Sequence, residues 1–285
     1  MYKRNPDWFE KGRPYVDGVR LAIMPDEAQQ QAQFNGGNLD QLGSVGSGSI
    51  RVSDLDTLKR TNPKAQTFTS SPTEMYLLVG QLDDPTSPWA DVRVRRAFSM
   101  ALDRDAIGAA VFGGKYQKQA LMPLSYGKWV LKPDDLDGSL GQVYKYDPAA
   151  AKNLLASAGA TNLSFKLVYT NVYGAQYKTL AETTSSMLNA IGIKTTMVLV
   201  DYNAEYVNGG KGYRSGNFGK DTLVFAPMAG GYTDVDEFIF SFYDSQSARR
   251  ETHLKDQQFD SMLDKARMLV TVSYTHLRAH ETGRN

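Results

Sequence analysis

The 285-residue chain has no cysteine, which rules out disulfides and thiolate metal sites but does not choose a compartment. It has three histidines, two of them within the last ten residues. A Ser-His-Asp or Cys-His arrangement is poorly supported, because there is no cysteine nucleophile and no G-x-S-x-G elbow. There is no P-loop and no dinucleotide fingerprint. No apolar run approaches the roughly 18 residues that cross a bilayer. The net charge is +1, so nothing points to nucleic acid or to an anionic membrane surface. The polar opening MYKRNPDWFEKG is not a signal peptide.

What is present is an ordinary globular balance, with a length sufficient for one large domain or two small ones. The helical signals are clear. Asp26 caps a helix through Phe34 that stops at Gly36-Gly37. Asp91 opens an amphipathic helix carrying Val92, Val94 and Ala97 to Met100, and Asp103 opens the next, ending at Gly113-Gly114. Asp147-Pro148 starts a helix to Gly159, with proline at the first helical position. Leu163 to Thr170 predicts a strand, Ala175 to Ile191 a helix and Ile193 to Val200 a strand, an order that argues for an α/β lobe. Thr222 to Ala226 predicts another strand, Asp234 or Asp236 caps a helix through Tyr243, and Gln257 to Val270 is amphipathic. Earlier, Asp17 to Met24 and Ala65 to Ser70 read as strands, and Met75 to Leu82 reads as a strand buried on both faces. Gly43 to Ser49 and Gly209 to Gly219 read as loops, the second as a mobile surface loop.

Several of these phrases resemble one family. Pro88, Trp89, Asp91, Val92-Arg93-Val94-Arg95, Ala97 and Asp103-Arg104 resemble "PF-x-D-x-RVR-x-A-(5)-DR" of the family 5 extracellular solute-binding proteins, the peptide, nickel and oligosaccharide receptors of bacterial ABC importers. Asn5-Pro6-Asp7, Pro14-Tyr15, Asp17, Pro25-Asp26, Gly37 and Asp40 resemble an earlier phrase of the same family, and Tyr146 to Gly159 resembles "YDPEKAKKLLAEAG". Ile191-Gly192-Ile193 and Phe259-Asp260, Leu263 and Ala266 continue the resemblance, which covers about Asn5 to Val270. It implies an α/β, two-lobe periplasmic-binding-protein-like fold, truncated. Residues 1–82 would be the later part of lobe one, 83–90 the crossover and hinge, and 91–270 an incomplete lobe two. It further implies that much of lobe one lies upstream and that Met1 is not the biological start.

The expected function is then capture of a peptide-like or other small solute between two lobes and its delivery to a membrane permease. The expected partners are that solute and the ABC permease, with no nucleic acid. A monomer is expected at full length, in a periplasmic or extracellular lipid-anchored setting. No cofactor, no metal and no chemical step are expected. The candidate ligand-binding residues are Met228, Gly230, Gly231, Tyr232 and Asp234, with Asn171 and Tyr173 at the end of the 163–170 strand. Lys211 and Arg214 are further candidates for an acidic ligand, and Trp129 is either a pocket aromatic or a loop anchor. The composition suits a receptor: 16 tyrosines supply apolar contact together with a hydroxyl handle.

One departure bears on the ligand. Peptide-binding relatives carry a phrase near "W-x-x-D-Y-x-(D/E)-P", whose Asp takes the ligand's ammonium group. Aligned on Tyr232 and Asp234, this chain has Met228 for the Trp, Gly231 for the Asp and Val235 for the Pro. Either Asp234 takes over the role or the ligand lacks a free amino terminus there; the second is favoured. The alternative from another class is an α/β hydrolase or transferase using Asp234/Asp236 as acid and base, and a third reading is a non-transport sensor on the same scaffold.

The last residues stand apart. Val272 to Thr282, VSYTHLRAHET, resembles the one-frame translation of a common transposase-based sequencing-library adapter, so 271–285 is expected to be a non-native tail. That expectation removes His276, His280 and Glu281 as a metal set. Without Arg278, Arg284 and Glu281 the chain carries 30 basic and 30 acidic residues.

Overall fold

The computed structural model describes residues 1–24, 26–42, 50, 52–68, 74–120, 122–228, 234–247 and 253–268. The N-terminal part holds a two-residue antiparallel pair, β1 (Tyr2–Lys3) and β2 (Gly18–Val19), then α1 (Glu27–Asn35) and α2 (Val52–Thr61). Asp26 accepts from Gln29 N at 2.7 Å and so starts α1. Asn62 reaches Asn35 at 2.6 Å and Gln31 reaches Asp54 at 2.9 Å, which holds the two helices together. The strand expected over 17–24 is confined to Gly18–Val19, and 65–68 is irregular, because neither stretch finds a longer partner among the described residues. The glycine-rich stretch 43–49 lies outside the described residues.

The core is a four-stranded sheet made by β3 (Glu74–Val79), β4 (Ser164–Tyr169), β5 (Lys194–Leu199) and β6 (Thr222–Met228), in the order β3-β6-β4-β5. β4 is parallel to both β5 and β6, while β3 runs antiparallel to β6 from Glu74↔Met228 to Val79↔Leu223. The helices are α3 (Val92–Ala101), α4 (Arg104–Phe112), α5 (Gly138–Gln142), α6 (Pro148–Ser157), α7 (Gln176–Ala190), α8 (Val235–Tyr243) and α9 (257–268). Helices α3, α6 and α7 cover one sheet face, packing Phe98, Leu155 and Leu188 against Phe165, Leu167, Leu223 and Phe225. The segment 202–218 covers the other face, placing Tyr206 and Phe218 over Leu78, Val168 and Val224. Within 209–219, expected as a mobile surface loop, Gly212, Gly216 and Phe218 are buried in this layer, while 209–211, 217 and 219 are exposed.

The carboxylates expected as caps do cap: Asp91 accepts from Arg93 N at 2.8 Å, Asp103 from Ala106 N at 2.9 Å and Asp147 from Ala150 N at 2.8 Å. The arginines of the same phrases serve the opposite helix ends. Arg93 bonds Asp91 at 2.6 Å and donates to the Ser157 carbonyl at 2.8 Å, locking the start of α3 to the end of α6. Arg104 is half-buried, donates to the Ser99 carbonyl at 2.9 Å and stacks over Tyr144 at 5.2 Å, closing α3 with donors aimed at orphan carbonyls.

β3 is an edge strand with both faces covered, as expected: Met75, Leu77 and Val79 are partly buried against the helical layer, and Leu78 is buried beside Tyr76 against the 202–218 layer. One sequence expectation is corrected here: packing does not break at 82/83, because β3 pairs with β6 of the part assigned to lobe two. The 80–90 crossover is pinned as well. Gln81 donates to the Phe218 carbonyl at 3.0 Å, and the fully buried Trp89 donates to the Lys220 carbonyl at 3.0 Å. Lys220 pairs with Asp84 at 3.6 Å and Lys255 with Asp83 at 2.7 Å. A hinge must change its backbone angles freely, and these bonds oppose that. On α9, Leu263 is buried but Met262 and Ala266 are exposed, so only part of its expected apolar face is covered.

Candidate functional site

The three parallel strands end at one edge of the sheet, the place where open α/β sheets hold ligands. Beyond β4 the chain turns through Asn171, Tyr173 and Gly174. Gly174 has φ +109°, open to glycine without strain, and donates to the Asn171 carbonyl at 3.0 Å. Gln176 bonds the Tyr173 carbonyl at 2.8 Å, which fixes the entry to α7. Beyond β5, Asp201 accepts from Ala204 N at 2.7 Å and starts a wide π-type helical turn, Tyr202–Val207. The chain then folds back through Gly212 into the turn Tyr213–Ser215. A Cβ on Gly212 would lie 2.3 Å from the Glu205 carbonyl oxygen, so only glycine lets this turn sit on the preceding one.

These turns gather four tyrosines. Tyr173 lies 5.5 Å from Tyr177, 5.5 Å from Tyr202 and 5.9 Å from Tyr206, and Tyr202 stacks on Tyr206 at 5.8 Å and 20°. The Tyr173 and Tyr202 hydroxyls are 3.3 Å apart, and Tyr206 donates to the Phe225 carbonyl at 3.0 Å. Burial and the bond with Tyr202 push the Tyr173 phenol far above its ordinary value, against the pull of the Arg214 guanidinium within hydrogen-bonding reach. Burial likewise pushes Tyr177 up, and its buried hydroxyl makes no hydrogen bond. Burial thus keeps the Tyr173 and Tyr177 phenols protonated, the first of them donating to the Tyr202 hydroxyl. The site offers aromatic walls, hydroxyl handles and a guanidinium, which is binding chemistry.

Of the residues expected from the sequence, Tyr173 enters this cluster and Asn171 stands exposed beside it. Met228 ends β6 opposite Glu74, at the same edge. Gly230, Gly231 and Tyr232 lie outside the described residues. Asp234 caps α8 by accepting from Asp236 N at 2.8 Å, and Asp236 pairs with Arg267 at 3.2 Å. The two carboxylates are thus held in structural contacts, which removes the support for an acid–base pair. Lys211 is exposed, while Arg214, ranked beside it from sequence, is half-buried at the tyrosines. Trp129 is 66% exposed with Lys128 over its ring at 5.3 Å, so it anchors no buried loop. Sequence reasoning missed Tyr177, Tyr202 and Tyr206. A signal existed: Tyr173/Tyr177 and Tyr202/Tyr206 are both spaced i, i+4, which on a helical turn puts two rings side by side. Among the described residues no group of three His, Cys, Asp or Glu could hold a metal, and no helix is long and apolar enough to cross a membrane.

Comparison with known proteins fits this architecture. A probable ABC transporter-binding protein of Deinococcus radiodurans is 27% identical over 220 residues, covering 70% of this chain and 36% of the relative. Heme-binding protein A of Haemophilus influenzae is 27% identical over 265 residues, covering 90% of this chain and 44% of the relative. Among solved structures, AgaA of A. tumefacien R10 in complex with agropinic acid superposes with a TM-score of 0.71 at 23% identity, over 92% of this chain and 50% of that one. The oligopeptide-binding protein AppA of Bacillus subtilis, in complex with a nonapeptide, gives 0.68 at 21% identity, over 93% and 51%. These likenesses give the periplasmic-binding-protein fold expected from sequence, and the chain spans about half the length, or less, of these relatives. The model of the bacterial extracellular solute-binding proteins, family 5 (middle part) matches residues 1–250, and the chain belongs to that family.

Proposed function

We propose that the protein carrying this chain is the solute-binding component of an ABC importer, which captures a small solute between two lobes and hands it to a membrane permease. The observation that carries this reading is the family match over residues 1–250. Relatives named as an ABC transporter-binding protein and an oligopeptide-binding protein support it. The family is one of solute-binding proteins and not of enzymes. Residues 1–62 belong to lobe one in this reading and 74–268 to lobe two, the sheet's carboxyl edge facing the cleft. The ligand meets Asn171 and Tyr173 there, with Met228, Gly230, Gly231, Tyr232 and Asp234 on the neighbouring strand exit. The protein works as a monomer outside the cytoplasmic membrane, free or lipid-anchored, without nucleic acid or cofactor.

Gly231 leaves no carboxylate at the position where peptide receptors bind an ammonium group, and Asp234 is engaged as a helix cap. Both favour a solute without a free amino terminus at that point. A thermal-shift screen of the full-length mature protein, setting a tripeptide pool against an oligosaccharide and opine pool, tests the reading. A ligand at about 100 times its Kd stabilises the native state by roughly 2.7 kcal/mol. A rise with either pool supports a solute receptor; a rise with peptides alone overturns the preference against an ammonium group. No rise with any solute overturns the receptor itself.

A further inference from the structure

We propose that the Tyr202 hydroxyl donates a hydrogen bond to an uncharged oxygen of the solute, a hydroxyl or an amide carbonyl, at the carboxyl edge of the sheet. This deepens, and rests on, the solute-receptor reading. The four tyrosines gathered at that edge differ in where each sends its hydroxyl hydrogen.

Tyr206 is fully buried and donates to the Phe225 carbonyl of β6 at 3.0 Å, so its hydrogen belongs to the sheet. Tyr177 is 1% exposed with its hydroxyl closed off, and no solute reaches it without unpacking the helical layer. Tyr173 donates to the Tyr202 hydroxyl at 3.3 Å. A hydroxyl carries one donor and two acceptor lone pairs. Tyr202 therefore accepts from Tyr173, and its own hydrogen has no acceptor among the described residues. Unlike Tyr177 and Tyr206, it is only half-buried, which leaves it open to a solute.

This donor is held before any solute arrives. The Tyr202 ring stacks on Tyr206 at 5.8 Å and 20°, and it meets the Tyr173 ring edge-on at 5.5 Å and 88°. One residue earlier, Asp201 accepts from Ala204 N at 2.7 Å and donates its own N–H to Glu205 at 3.0 Å, which fixes the backbone. A group ordered in advance loses little freedom on binding. The bond from Tyr173 also polarises the Tyr202 O–H and makes it a better donor. Tyr173 is thus a positioning residue whose hydroxyl acts through Tyr202. The class of acceptor follows from charge. Asp201 and Glu205 place two carboxylates on the same turn, which disfavours an anionic group at this donor and suits a neutral oxygen. Sugar hydroxyls and peptide carbonyls both present such an oxygen.

The test is calorimetric titration of the full-length mature protein with trialanine, with maltotriose and with any pool member that raised the melting temperature. For a solute that binds, Tyr202→Phe should weaken binding about 3- to 10-fold, the worth of one neutral hydrogen bond. Tyr173→Phe should cost less, and the double variant no more than Tyr202→Phe alone, because one hydroxyl acts through the other. Solutes altered at one atom give a second readout: monodeoxy sugars, or peptides with one thioamide in place of an amide. One such change should weaken binding to the unaltered protein by the same factor and have no effect on Tyr202→Phe, an outcome that a purely structural role would not give. A sugar that behaves so assigns a hydroxyl as the acceptor, and a peptide that behaves so assigns a carbonyl. Full affinity in Tyr202→Phe with an unchanged melting temperature overturns the proposal. So does an altered-solute series whose losses are the same in both proteins, and additive losses from the two tyrosines overturn the relay. Each of these spares the receptor reading, whereas no binding by any solute sinks both.

Discussion

Two regions of this chain treat similar side chains in opposite ways. In residues 1–24, Phe9, Tyr15, Leu21 and Ile23 are mostly in solvent, Ile23 at 95%. In residues 89–101, Trp89, Val94, Ala97 and Phe98 are buried, Trp89 completely. The difference lies in what each stretch packs against. The first has a two-residue ladder for a partner. The second lies against Phe165 of the sheet, with Trp89, Phe98 and Phe165 in mutual contact at 4.6, 4.8 and 5.3 Å. Apolar content alone does not make a core. A surface opposite it does.

The sharpest way to break the comparison is one substitution on each side. Trp89→Ala removes a wholly buried ring, opens a cavity between α3 and the sheet, and leaves the Lys220 carbonyl without its donor. It should cost about 3–5 kcal/mol in urea unfolding. Phe9→Ser, at a side chain 82% exposed, should stay within about 0.5 kcal/mol in this chain. Equal costs would mean that the N-terminal segment has a packed partner. The same Phe9→Ser in the full-length protein sharpens the point, since a large cost there would report a surface that covers it.

A smaller effect is expected where the sheet region is tied across its length. Gly80 follows β3, and a Cβ there would lie 2.7 Å from the Phe218 ring. Its neighbour Gln81 holds the Phe218 carbonyl from 137 residues away in the chain. Gly80→Ala must push that ring out of its seat over Leu78 and Val224, at a cost of about 1–3 kcal/mol. An unchanged midpoint in urea would show that the ring moves freely and that the crossover is not pinned there.

That contact also marks the limit of what the residues alone disclose. The helix starts were legible because a cap is local: Asp26, Asp91, Asp103, Asp147 and Asp234 each meet a backbone N–H two or three positions on. The family phrases were legible as wording. That Arg93 and Arg104 close helix ends emerges only when α6 and the end of α3 are in place. The edge position of β3 depends on pairing with β6, about 150 residues later, and no periodicity within MYLLVGQL encodes it. Residues 209–219 read as loop because glycine dominates their composition, yet Gly212 serves a close approach to the Glu205 and Tyr206 carbonyls that only the folded chain brings about.

The tyrosine edge gives the smallest predicted effect, and one whose sign separates it from the rest of the core. Tyr177 is buried in the helical layer with a hydroxyl that makes no hydrogen bond, so its desolvation is not compensated. Tyr177→Phe keeps the ring and removes that cost, and should stabilise the fold by about 1 kcal/mol at neutral pH where every other core truncation destabilises. The alkaline limb gives the second readout. The unfolded phenol titrates near its ordinary value of 10.0, while in the fold burial holds it protonated well above that. The folded state therefore binds more protons as pH rises past 10, and stability fully present below that pH is lost above it. Urea midpoints taken below and above pH 10 should fall for the unaltered protein and fall less for Tyr177→Phe. Tyr173 remains to supply the residual slope, because its phenol is pushed up by the same burial. A variant that is destabilised at neutral pH would mean that the Tyr177 hydroxyl has a partner in solution. A slope the variant leaves unchanged would place the alkaline loss outside the tyrosine edge.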